Sequence, residues 1–171
     1  LTAVSPELGA RQEPETRAIG PSAVLGELAK IEATLISSRY SHTTRVDSRR
    51  GLYEFDCSGL AAWVLRRAAP RAHASVAWRA KNGCGRTLAR DYYHQIAATK
   101  AGVAGRWGWQ RVGRGDEGQP GDGVAWLRPK EIRSANTGHV AFVVGAPERV
   151  PGEQPAFLLR IADASRYQHQ D

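Results

Sequence analysis

Cys57 sits in the stretch Tyr53-Glu54-Phe55-Asp56-Cys57-Ser58-Gly59-Leu60, which runs into the apolar segment Ala61 to Leu65. The pattern places a cysteine where a turn gives way to a helix. A helix N-terminus presents unpaired N–H groups and the positive end of the macrodipole, and both favour a thiolate over a thiol. A thiolate there is a nucleophile at neutral pH. Further on, His139 opens a strongly β-forming run to Val144, and Asp163 ends another that begins at Ala156. If those runs are neighbouring antiparallel strands, the start of one lies beside the end of the other. His139 and Asp163 then share a sheet edge, to which a helix packed on the sheet can bring Cys57. A nucleophile, a base and an orienting group are what acyl transfer through a thioester requires. His139 would deprotonate Cys57 or hold it as a thiolate–imidazolium pair, and Asp163 would fix the imidazole tautomer. The backbone N–H of Cys57 is a candidate oxyanion donor. His169 competes with Asp163 for the third role.

The elements that must position these groups follow from periodicity. Residues 1–21 are rich in Glu, Pro, Arg and Gly and read as an irregular leader. Val24, Leu25, Leu28, Ile31, Leu35 and Ile36 recur at helical spacing, so a helix capped by Ser22 is expected to end near Ser38 or Arg39. Residues 40–51 are polar and read as a loop. A second helix is expected from Cys57 to Ala69, stopped by Pro70, with Arg66 and Arg67 complementing its C-terminal dipole. The stretch 71–86 is loosely patterned, and a third helix is expected over 87–98. The period then becomes strand-like at 107–112, 122–127, 139–144 and 156–163. Helices followed by strands predict an α+β domain, its N-terminal helices packed on a central antiparallel β-sheet. One domain is expected over 22–171.

Composition sets outer bounds. The chain has 171 residues, 42% of them hydrophobic, and a formal charge of +7 from 20 Arg and 4 Lys against 17 acidic residues. No apolar run approaches the roughly 18–20 residues of a membrane span. The basic residues are scattered and accompany no nucleic-acid motif, so a solvated basic surface is expected and a nucleic-acid partner is not. There is no methionine, so the chain is expected to start downstream of its translation start. Cys84, in Asn-Gly-Cys-Gly, reads as a loop thiol. Cys57, Cys84, His94 and His139 lack the ligand spacing of a zinc site, and no metal is expected.

Five blocks in order, Tyr40, FDCSGL at 55–60, PGDGVAW at 120–126, GHVAFVVG at 138–145 and IADAS at 161–165, resemble the NlpC-type, papain-like cysteine peptidases of bacterial cell walls. The resemblance implies a papain-like fold, no cofactor, and hydrolysis of amide bonds in peptidoglycan stem peptides, commonly γ-D-glutamyl linkages to a diamino acid. It implies Cys57 as nucleophile, His139 as base and Asp163 as the third polar group. It also implies Tyr40, Asp56 and Ser58 as substrate-lining residues, Asp56 in some members binding the free amine of the stem peptide. A secreted, periplasmic or wall-associated monomer follows from the same likeness. This chain departs from the family in a long charged loop before Cys57 and an expected insertion around 70–120, which could form a lid or reshape the substrate groove.

Two other functions use the same residues. One is a catalytically silent wall-binding module of the same fold. The other is an acyltransferase or transglutaminase-like enzyme that passes the Cys57 thioester to a different acceptor.

Overall fold

The computed structural model describes residues 20–80, 86–102, 105, 107–152 and 156–166. It is an α+β structure. Helix α1 spans Pro21–Thr34, followed by strands β1 (Ser37–Tyr40), β2 (Arg45–Asp47) and β3 (Leu52–Phe55). Three helices come next: α2 (Cys57–Ala68), α3 (Pro70–Arg79) and α4 (Ala89–Ala98). The chain closes with β4 (Gly123–Leu127), β5 (Gly138–Val143), β6 (Glu148–Arg149), β7 (Phe157–Leu158) and β8 (Ile161–Ala162).

Helix α2 is the axis of the core. Leu60, Ala61, Val64, Leu65 and Ala68 are buried, which is the i, i+3/i+4 stripe of a helix covered on one broad face. They form one apolar cluster with Val24 of α1, Tyr53 and Phe55 of β3, Val76 of α3, Tyr92 of α4, and Val140 and Phe142 of β5. Each buried Val or Leu side chain contributes about 1.5–3 kcal/mol relative to exposure. The helix ends at Ala68, and Pro70 opens α3 at a position where its missing N–H costs nothing.

The strands form three small sheets. Strands β4, β5 and β8 are antiparallel, with Trp126 paired to His139 and Phe142 paired to Ala162. Strand β3 lies between β1 and β2, parallel to the first and antiparallel to the second. Strands β6 and β7 pair with each other. Gly138 has a φ of +140°, and a Cβ there would meet the Trp126 carbonyl oxygen at 2.1 Å. Only glycine allows β4 and β5 to approach so closely beside His139.

Several sequence expectations are corrected. Helix α1 stops at Thr34 rather than near Ser38, because residues 37–40 are recruited as a parallel partner of β3. Its N-cap is Gly20, and Pro21 occupies the first turn, so Ser22 is no cap. The charged loop 40–51 contains β2, and the loosely patterned stretch after Pro70 contains α3. Residues 107–112 alternate in sequence but form no strand, and Arg111 makes an isolated bridge with Ala101. The expected strand 156–163 divides into β7 and β8, which pair with different partners. The expected single central sheet is the antiparallel β4-β5-β8 unit, with a separate mixed sheet beside it. Residues 1–19, Cys84 and His169 lie outside the described residues.

Candidate active site

Cys57 is the first residue of α2 and is 7% exposed. The helix starts there because Asp56 caps it: Oδ1 accepts a hydrogen bond from Gly59 N at 2.8 Å, and the Asp56 carbonyl accepts from Leu60 N at 2.9 Å. Gly59 is needed for this fit, since a Cβ there would meet Thr44 Oγ1 at 2.6 Å. Cap and packing together fix where the sulfur sits.

His139 comes from β5. Its Nε2–H donates to Asp163 Oδ2, and both side chains are largely buried. Asp163 directly follows β8. Continuing the Phe142–Ala162 register by one residue sets it opposite Ala141, on the same face as His139. The His139 side chain also hydrogen bonds to Cys57. With Nε2 taken by the carboxylate, Nδ1 is the ring nitrogen left for the sulfur. Burial lowers the basicity of this imidazole. The hydrogen bonds to Asp163 and Cys57, with the negative charge of each, outweigh that effect and push its pKa up to about 9. The imidazolium form is therefore favoured at neutral pH. The Trp126 ring lies 4.9 Å from the imidazole centroid at 43°, a position suited to supporting a cation.

The remaining expected site residues lie on the helix side. Asp56 is 3% exposed, and both its oxygens are occupied by the protein's own donors. Oδ1 accepts from Gly59 N, from Ser58 Oγ at 3.0 Å and from Arg86 Nη1 at 3.1 Å. Oδ2 accepts from Arg86 Nη2 at 2.7 Å and from His42 Nδ1 at 2.9 Å. Burial works against ionisation here, but these donors and the Arg86 charge overcome it and lower the pKa to about 2. A carboxylate so engaged is a cap and an anchor, and has little capacity left for a substrate amine. Ser58 is buried and serves Asp56.

Tyr40 ends β1, and its ring meets that of His42 edge-on at 5.5 Å. Burial, followed by the Asp56 and Cys57 charges, raises its pKa, so the phenol keeps its proton and can donate. A cavity of about 450 Å³ opens beside the site, with Tyr40, Asp163 and Ser165 near Leu28, Leu60 and Val144 in its wall. A second cavity, of about 520 Å³, lies around Val24, Leu65, Trp109 and Phe142 and includes none of Cys57, His139, Asp163 or Tyr40.

Three participants escape sequence reasoning. His42 and Arg86 lie in stretches without periodicity, and nothing in their spacing marks them as partners of Asp56. Trp126 belongs to a strand that was expected, but its pairing with His139 depends on the length of the intervening loop. Among the described residues, no group of three or more His, Cys, Asp or Glu is arranged to hold a metal ion. No helix among them is long and apolar enough to cross a membrane. Comparison of the chain with protein-family models, with curated proteins and with solved structures finds no match.

Proposed function

We propose that this protein is a thiol amidase of the papain-like type that cleaves amide bonds in peptidoglycan stem peptides. The observation that carries the proposal is the arrangement of His139 between Cys57, at the start of a buried helix, and the carboxylate of Asp163. The order of sequence blocks from Tyr40 to Ser165 supports the choice of substrate. The thiolate of Cys57 attacks the amide carbonyl carbon and forms a C–S bond. The Cys57 N–H, at the start of α2, is the candidate donor to the oxyanion, and Gly59 N and Leu60 N of the same turn are already taken by Asp56. His139 gives its proton to the leaving nitrogen as the C–N bond breaks, which leaves a thioester and a free amine. His139, now neutral, takes a proton from water. The resulting hydroxide equivalent attacks the thioester and the C–S bond breaks, releasing a carboxylic acid that gives its proton to solvent and restoring the thiolate–imidazolium pair. On this reading the protein works at the cell wall, outside the cytoplasm, and needs no cofactor.

Incubation with defined muropeptides, followed by mass spectrometry, tests the proposal. Wild-type protein should yield two fragments whose summed mass exceeds the substrate by one water. Cys57→Ala and His139→Ala should each lower the rate by about 10⁴-fold or more while keeping the wild-type circular dichroism spectrum. Hydrolysis by Cys57→Ala at the wild-type rate would overturn the reading. Transfer of the acyl group to an added amine, in preference to water, would move it to the acyltransferase class.

A further inference from the structure

The residue before the nucleophile is a buried carboxylate. Left unneutralised, Asp56 would oppose a thiolate on the adjoining residue, since like charges disfavour one another's ionised forms. The segment between α3 and α4 supplies the counter-charge. Arg86 sets one guanidinium nitrogen on each Asp56 oxygen, at 3.1 and 2.7 Å, and the Nη1 that bonds Oδ1 also donates to the His42 carbonyl at 3.1 Å. A guanidinium fork fixes the plane of a carboxylate as well as cancelling its charge. One side chain thus joins three pieces of chain at the nucleophile: the loop after β1, the start of α2 and the approach to α4.

We propose that Arg86 is a positioning residue for the catalytic sulfur, pairing with Asp56 so that the helix start beside Cys57 is held in place and carries no net negative charge. The proposal rests on the reading of Cys57 as nucleophile and is independent of the substrate. Among the described residues, the other charged or titratable groups that face the sulfur are His139, backed by Asp163, from the β4-β5-β8 sheet, Tyr40 from β1 and Tyr92 from α4. Burial raises the pKa of both tyrosines, so neither brings charge at neutral pH. The His42 imidazole, which shares Oδ2 of Asp56 with Arg86, is 75% exposed on its side chain and so is screened by solvent. Among the described residues, Arg86 is the permanent cation on Asp56.

The test is the rate of alkylation by iodoacetamide from pH 4 to pH 10, followed on the Cys57 peptide by mass spectrometry. Arg86→Met should move the midpoint of the rate profile up by about one pH unit. Arg86→Gln keeps a donor without the charge and should shift it the same way, so it carries the test if the methionine variant does not fold. Arg86→Lys should stay within about half a unit of wild type. In the double variant Asp56→Asn with Arg86→Met there is no carboxylate to neutralise, and the midpoint should return toward wild type. An unchanged midpoint in both neutral variants, or a double variant no different from Arg86→Met, would overturn the proposal. Alkylation reads the sulfur without turnover. A shifted midpoint in a protein that hydrolyses no muropeptide would fault the amidase reading and leave Arg86 in its role.

Discussion

On the sheet side of Cys57, His139 and Asp163 come from adjacent antiparallel strands, and a register of two residues is enough to make them meet. On the helix side, Asp56 meets Arg86 and His42 across chain separations of 30 and 14 residues. Both sides end in a hydrogen-bonded carboxylate, but the pairs answer to pH in opposite directions. The His139 pair raises a base to about 9, and the Asp56 network lowers an acid to about 2. The sheet side keeps a proton on His139 at neutral pH, whereas the helix side keeps Asp56 charged there and well below.

The sharpest way to break this comparison is at Asp163. Asp163→Asn removes the main partner that raises the His139 pKa, so the alkaline limb of the kcat/KM profile should fall from near pH 9 toward neutrality. The rate at optimum should drop about 10²–10⁴-fold, as for other orienting carboxylates. Stability should respond in the same sense. A pKa raised from 6.5 to about 9 contributes stability that is complete below about pH 6.5 and is lost as pH rises through about 9. Wild-type Tm should therefore decline between pH 7 and pH 10, and Asp163→Asn should decline less. An alkaline limb that stays near pH 9 in the variant would separate His139 from Asp163.

The helix side should fail differently. Asp56→Ala removes the cap of α2 and strands a partly buried guanidinium, which predicts a loss of about 3–5 kcal/mol in urea unfolding. In the wild type, the lowered pKa of Asp56 contributes stability that is present above about pH 3.8 and is lost as pH falls through about 2. The acid transition of Asp56→Asn should begin at higher pH than that of the wild type. Equal acid midpoints would mean that the network adds nothing to folding.

What sequence could and could not reveal follows the same division. Cys57, His139 and Asp163 are each tied to a local signal: a cysteine at a helix start, a histidine at a strand start, an aspartate at a strand end. Antiparallel pairing then leaves few ways to join the last two. Arg86 and His42 have no such signal, because a loop side chain is placed by tertiary packing and its partner can come from any part of the chain. Local patterning failed for the same reason at residues 37–40, where the apolar helical spacing continues through Ile36 but pairing with β3 takes over. At 107–112 the alternation is real, but Trp109 is drawn away, its indole N–H bonding the Ala72 carbonyl and Ser75 Oγ of α3.

The smallest expected effect belongs to Trp126. Trp126→Leu removes the ring beside the imidazolium, worth about 0.5–1 kcal/mol for a partly exposed site. A two- to fivefold fall in kcat/KM is expected, with the alkaline limb moving down by less than one pH unit. A loss as large as that of Asp163→Asn would mean that Trp126 binds substrate directly and does more than support His139.

The central claim is that Cys57 carries the acyl group. Acid quenching during turnover of a defined muropeptide, followed by mass measurement of the intact protein and of the Cys57 peptide, tests it most directly. An adduct equal to the acyl fragment should appear on Cys57, accumulate within the first turnover and be absent from Cys57→Ala. Turnover with no adduct on Cys57, and with equal activity in Cys57→Ala, would contradict the account.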